Sequence, residues 1–195
     1  MSYLHRSHLF NKPPRWQGSR HGRLVRGALP PATASWLFEP GSLTQRLRAL
    51  YGPEFRVVVL GQEWARPWQE ESLTLKLRSG QRAMVREVAL QAGDRSLVMA
   101  RSVIPARTLR GADRRLANLG AKPLGHILFN DPRLRRLQLR LTRVRPGDWQ
   151  PGLPLPERPA EPVWGRRSLY SLGPGHKLLV AEFFLPSLLH RQEPA

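Results

Sequence analysis

Apolar positions along the chain gather into short runs. The most apolar of them, Leu-Leu-Val-Ala-Glu-Phe-Phe-Leu at 178–185, predicts a strand buried on both faces at the centre of a sheet. One charge interrupts it. Alternation puts Glu182 on the face of Leu178, Val180 and Phe184, so its carboxylate points into an apolar layer or into a pocket cut in one. An isolated buried carboxylate is costly, so Glu182 is expected to be protonated, paired with a cation, or lining a cavity. The run Met-Val-Arg-Glu-Val-Ala-Leu at 84–90 offers a counterpart, with Arg86 on the face of Met84, Val88 and Leu90 and Glu87 on the other. From these two strands alone, a buried Arg86–Glu182 salt bridge and a ligand site both stay open.

The rest of the pattern supplies the surrounding elements. Residues 31–38 predict a short helix with Trp36 and Leu37 inward. Ser42, with Gln45 three residues on, marks the start of a helix carrying the stripe Leu43, Leu47 and Leu50 and ended by Gly52. Leu43 then lies in the first turn, where a backbone N–H has no partner inside the helix and can meet an anion. Residues 55–60 predict a strand, and Leu73, Leu75 and Leu77 a second, with 62–71 between them as a surface loop or a mobile cover. Strands at 83–90 and 97–104 form a hairpin through Ala92, Gly93 and Asp94. A helix follows at 108–119, with Gly120 as its stop. Pro123 suits another helix start, which makes Leu124 a first-turn residue as well, while Gly125 lets a ligand or backbone come close. Leu137, Leu139 and Leu141 alternate in a half-exposed strand. Residues 146–162 are a proline-rich loop or lid, too poor in apolar residues for a core, and 164–172 pairs with the Glu182 strand through Gly173-Pro174-Gly175. The sum is an α+β single domain: an antiparallel sheet of about six strands, with helices packed over one face and covering the ligand pocket.

With 195 residues and 41 % hydrophobic content, the chain is long enough for one full core. The expected division is a basic flexible tail over 1–31, a domain over 32–187 and a short tail over 188–195. No run approaches a membrane span, and the first residues lack the apolar centre of a secretory signal, so a cytoplasmic location is expected. The absence of cysteine removes disulfides, thiol nucleophiles and cysteine-ligated metals. The net charge of +18 is almost all arginine, scattered and without a nucleic-acid-binding motif, which disfavours specific nucleic-acid binding and leaves salt-sensitive contact with anionic surfaces open. His5 and His8 stand on a tail that nothing rigid holds, so they are expected to be solvated rather than metal-bound. His126 has no acidic partner in sight and reads as a packing or surface histidine.

Several blocks, in order, carry a resemblance: Arg86-Glu87-Val88 with Gly93 and Ala100-Arg101-Ser102-Val103-Ile104-Pro105, then 119–125 with Leu128-Phe129, then Trp164-Gly165-Arg166-Arg167-Ser168, and Glu182 before Phe184-Leu185-Pro186. From about Trp36 to Pro186 the chain resembles the chorismate-pyruvate lyases of bacterial ubiquinone biosynthesis. The resemblance implies elimination of pyruvate from chorismate to leave 4-hydroxybenzoate, with no cofactor and no metal. It implies ligand contacts from Leu43, Arg86, Leu124 and Glu182. Arg86 would bind a carboxylate bidentately, and Glu182 would either assist proton transfer or only position the substrate. Leu43 stands where the family is associated with methionine, a change that a backbone N–H and an apolar contact would tolerate. The expected partners are the substrate chorismate, the product 4-hydroxybenzoate and a membrane prenyltransferase that takes the product, with the protein itself a monomer. The competing class is a non-catalytic domain of the same fold that binds a small aromatic acid, as in effector domains of a transcription-regulator family.

Overall fold

The alternating runs form six strands, β1 (Phe55–Ala65), β2 (Ala83–Ala92), β3 (Arg95–Pro105), β4 (Arg135–Val144), β5 (Val163–Ser171) and β6 (Lys177–Phe184). The computed structural model describes residues 7–17, 29–110, 116, 119–120, 122–153 and 159–189. All neighbouring strands are antiparallel, in the order β1-β2-β3-β6-β5-β4. The last strand of the chain therefore inserts between β3 and β5, which is why its sequence is apolar on both faces. Gly93, with φ of 55°, makes the tight turn from β2 to β3 that a side chain would strain.

The helices among the described residues are α1 (Pro31–Leu37), α2 (Leu43–Tyr51), α3 (Gln69–Thr74), α4 (Leu124–Phe129) and α5 (Pro186–Leu189). The Ser42 side chain caps α2 by accepting from the Gln45 N–H at 3.3 Å. Helices α1, α2 and α4 cover the sheet face that carries Arg86. Trp36, Leu37, Leu43 and Leu47 pack on Val88, Leu90, Val98 and Phe184 there, and Leu124 and Leu128 on Met84, Ile104 and Leu178.

The opposite face is covered differently. Residues 7–17 run across it, contrary to the flexible tail expected for 1–31. Leu9 and Phe10 are buried against Ala89, Met99, Trp149 and Phe183, and isolated bridges join Phe10 to Trp149 and Gln17 to Leu141. The cause is an ionic anchor that alternation on single strands does not reveal. Glu87 accepts from the Ser7 hydroxyl and the His8 N–H, both at 2.6 Å, and from Arg101 at 2.9 Å. Residues 1–6 and 18–28 of the expected tail lie outside the described residues, as do 190–195 of the C-terminal one. The loop at 146–162 also differs from expectation, because Trp149 enters this core at 1 % exposure; residues 154–158 are not among those described.

Two further expectations are corrected. Residues 62–65 complete β1, pairing with 83–86, so 62–71 is not a free cover. The strand expected through Leu73, Leu75 and Leu77 is replaced by α3 and a turn. Glu71 accepts from the Trp68 N–H at 2.9 Å, which fixes the helix start, and Arg101 grips the Glu71 carboxylate through Nε and Nη2 at 2.8 and 2.9 Å. That tertiary pair overrides the leucine alternation, leaving Leu75 buried and Leu73 exposed. Most of the helix expected at 108–119 lies outside the described residues. Its first residues belong to a 3-10 turn, Ala106–Leu109, and Leu116 and Leu119 are buried.

Candidate active site

Strand register determines the recess between the sheet and its helices. Across the covered face, one row runs Gln62, Arg86, Ser102 and Val180, and the next runs Val88, Ala100, Glu182 and Arg166. The β3 members of both rows, Ser102 and Ala100, are small. They leave a depression between β2 and β6, whose backbones stand roughly 10 Å apart at two strand spacings. Helix starts close it from above. The cavity is lined by Leu43 and Thr44 of α2, by Pro123, Leu124, Gly125 and Leu128, and by sheet residues including Arg86, Val88, Ala100, Ser102, Tyr170, Val180 and Glu182.

All four residues expected to contact a ligand, Leu43, Arg86, Leu124 and Glu182, line this one cavity. Leu43 and Leu124 each occupy the first helical position, of α2 and α4. Gly125 lets these two starts touch, since a Cβ there would stand 3.1 Å from the Thr44 hydroxyl and 3.2 Å from that of Ser42. His126 is exposed on α4, as expected of a surface histidine.

Arg86 and Glu182 do not pair. The register places Arg166 directly opposite Glu182, with Arg86 two strands away and one row along. Arg166, 1 % exposed, donates from Nε to Glu182 Oε2 at 2.6 Å and from Nη1 to the carbonyl oxygens of Trp36, Leu37 and Glu39. Burial works against its charge, but the Glu182 carboxylate outweighs that and holds the Arg166 pKa above its ordinary value. Arg166 is the ion-pair partner of Glu182 that sequence reasoning missed. Its period-two position between Trp164 and Tyr170 puts it on the pocket face, but only the strand order reveals its partner.

Arg86 is in the opposite condition. Its Nε donates to Gln62 Oε1 at 3.1 Å and its Nη2 to the carbonyl oxygens of Gly120 and Lys122 at 2.8 and 3.2 Å. Among the described residues no carboxylate faces it, and burial pushes its pKa down to about 10. A buried cation held only by neutral acceptors is prepared for an anion.

This arrangement defines a class: an α+β domain with a small, mostly apolar recess, an uncompensated arginine at one end and an ion-paired carboxylate at the other. The chain belongs to the chorismate lyase family, whose model matches residues 16–194. A protein of Methylococcus capsulatus described as "Probable chorismate pyruvate-lyase" is 54 % identical over 161 residues, covering 83 % of this chain and 99 % of that one. One from Thiobacillus denitrificans with the same description is 41 % identical over 180 residues, 90 % of this chain and 94 % of that one. Among solved structures, the C-terminal domain of the histidine utilization repressor of Pseudomonas syringae pv. tomato superposes with a TM-score of 0.55 at 16 % identity, covering 72 % of this chain and 97 % of that domain. At that identity the likeness is one of fold.

Proposed function

We propose that the protein is a chorismate pyruvate-lyase that releases pyruvate and leaves 4-hydroxybenzoate, feeding ubiquinone synthesis. The observation that supports this is the presence, in the lining of one apolar recess, of both Arg86, which no carboxylate faces among the described residues, and Glu182, which Arg166 holds, in a chain of this family. The substrate is a flat ring acid with a second carboxylate on its side arm. Arg86 takes the ring carboxylate, aided by the first-turn N–H groups of Leu43 and Leu124. Val88, Ala100 and Val180 contact the ring.

Elimination moves the hydrogen of ring C4 to the departing enolpyruvyl group and breaks the bond from C3 to the ether oxygen. Atoms balance with nothing added, and aromatisation drives the step. The pocket's contribution is to hold the reactive conformer. Glu182 is best used as an acceptor for the 4-hydroxyl: Oε2 is committed to Arg166, and Oε1 makes no hydrogen bond with any described residue. An ionised carboxylate only accepts, and it orients a hydroxyl without taking its proton.

Turnover of Glu182→Gln tests that role. The variant keeps size and an acceptor oxygen, and kcat is expected to fall by less than about tenfold, whereas a general acid–base group is worth about 100-fold or more. A fall of that larger size would assign the proton transfer to Glu182.

A further inference from the structure

The floor of the recess holds a polar group that the reaction above does not use. Ser102 is 5 % exposed, lines the cavity, and its hydroxyl makes no hydrogen bond with any described residue. The residue is buried but its hydroxyl opens onto the recess, where it is left to bond to whatever occupies it. Its neighbours in the row are Arg86 on β2 and Val180 on β6, so Arg86 is the only charged group beside it in register. Thr44, another cavity hydroxyl that makes no hydrogen bond with any described residue, is turned toward Gly125 at the helix junction instead.

Arg86 itself shows why a second donor is needed. Its side-on fork is occupied, Nε by Gln62 and both Nη2 hydrogens by the Gly120 and Lys122 carbonyl oxygens. Only Nη1 remains for a ligand, so the bidentate grip expected of Arg86 is not available in this arrangement. A carboxylate has about four lone-pair sites, more than one nitrogen can serve. The helix N–H groups would meet it from above; from the sheet, Ser102 is the hydroxyl next to Arg86 in its own row, while the Tyr170 hydroxyl, also in the cavity lining, is engaged by Arg136.

We propose that the Ser102 hydroxyl donates to the ligand carboxylate held by Arg86, making Ser102 a binding residue that selects a carboxylate over a neutral group at that end of the ring. The proposal rests on the ligand assignment made above. Its role is recognition of charge, distinct from filling space: alanine fills nearly the same volume but donates nothing.

The test is calorimetric binding of 4-hydroxybenzoate and of the uncharged 4-hydroxybenzaldehyde to wild type and Ser102→Ala, with thermal melting as the control for folding. Ser102→Ala is expected to weaken 4-hydroxybenzoate by about tenfold or more and the aldehyde by less than about threefold, because a hydrogen bond to a charged group is worth more than one to a neutral carbonyl. Unchanged binding of the acid, or equal loss for both ligands, would overturn the proposal. Failure of the wild type to bind 4-hydroxybenzoate at all would overturn the ligand assignment beneath it, and the proposal with it.

Discussion

Arg86→Ala is expected to lower kcat/KM for chorismate, and affinity for 4-hydroxybenzoate, by about 100-fold or more, while leaving the fold intact. Each hydrogen bond from a cation to a carboxylate contributes about 1.5–3 kcal/mol, and the loss of the charge itself adds to that in a recess shielded from water. The same change removes a desolvated cation that has no carboxylate facing it among the described residues, an opposing gain against the hydrogen bonds lost to Gln62, Gly120 and Lys122. Melting should therefore move little. Arg86→Lys should not rescue activity, since an ammonium cannot hold those three acceptors and a ligand at once. Steady-state kinetics and calorimetry on both variants check this; near-wild-type values would remove Arg86 from the site.

Arg101→Ala should do the reverse, destabilising the protein strongly without touching the pocket. Arg101 sits on the far face at 1 % exposure, pairs with Glu71 and Glu87, and lies 3.9 Å from the centre of the Trp68 ring. Glu87 in turn holds Ser7 and His8, and Glu71 holds the start of α3. Removing the cation leaves two buried carboxylates without the charge that both pair with. Breaking a buried pair in this way costs about 3–5 kcal/mol, or roughly 6–20 °C of melting temperature in a chain of this size. Urea titration and thermal melting measure it, and a loss below about 1 kcal/mol would mean that the network does not tie 7–17 and α3 to the sheet. Turnover at low temperature should persist in the folded fraction.

The contrast between those two arginines shows what the sequence made legible. Period-two alternation placed Arg86 and Glu182 on the pocket face, and helix-start signals at Ser42 and Pro123 placed Leu43 and Leu124 in first turns; each depends on local chemistry that a short window contains. Partners are not local. Glu182 meets Arg166 because β6 inserts between β3 and β5, and no window of sequence encodes that order. The strap at 7–17 was hidden for the same reason: a basic, proline-interrupted stretch looks solvated until Glu87, 79 residues from His8, is seen to hold it. Leu73 and Leu75 misled because a buried ion pair at Glu71 outweighs the leucine pattern. The depth of the pocket was also non-local, since Ala100 and Ser102 are unremarkable until they stand between Arg86 and Glu182.

The most direct measurement is incubation of the purified, metal-stripped protein with chorismate, following pyruvate and 4-hydroxybenzoate by chromatography. Equimolar appearance of both products, with the rate greatly reduced in Arg86→Ala, is the expected result. No turnover, together with saturable binding of 4-hydroxybenzoate that Arg86→Ala abolishes, would contradict it and mark the protein as a binding domain built on the same fold.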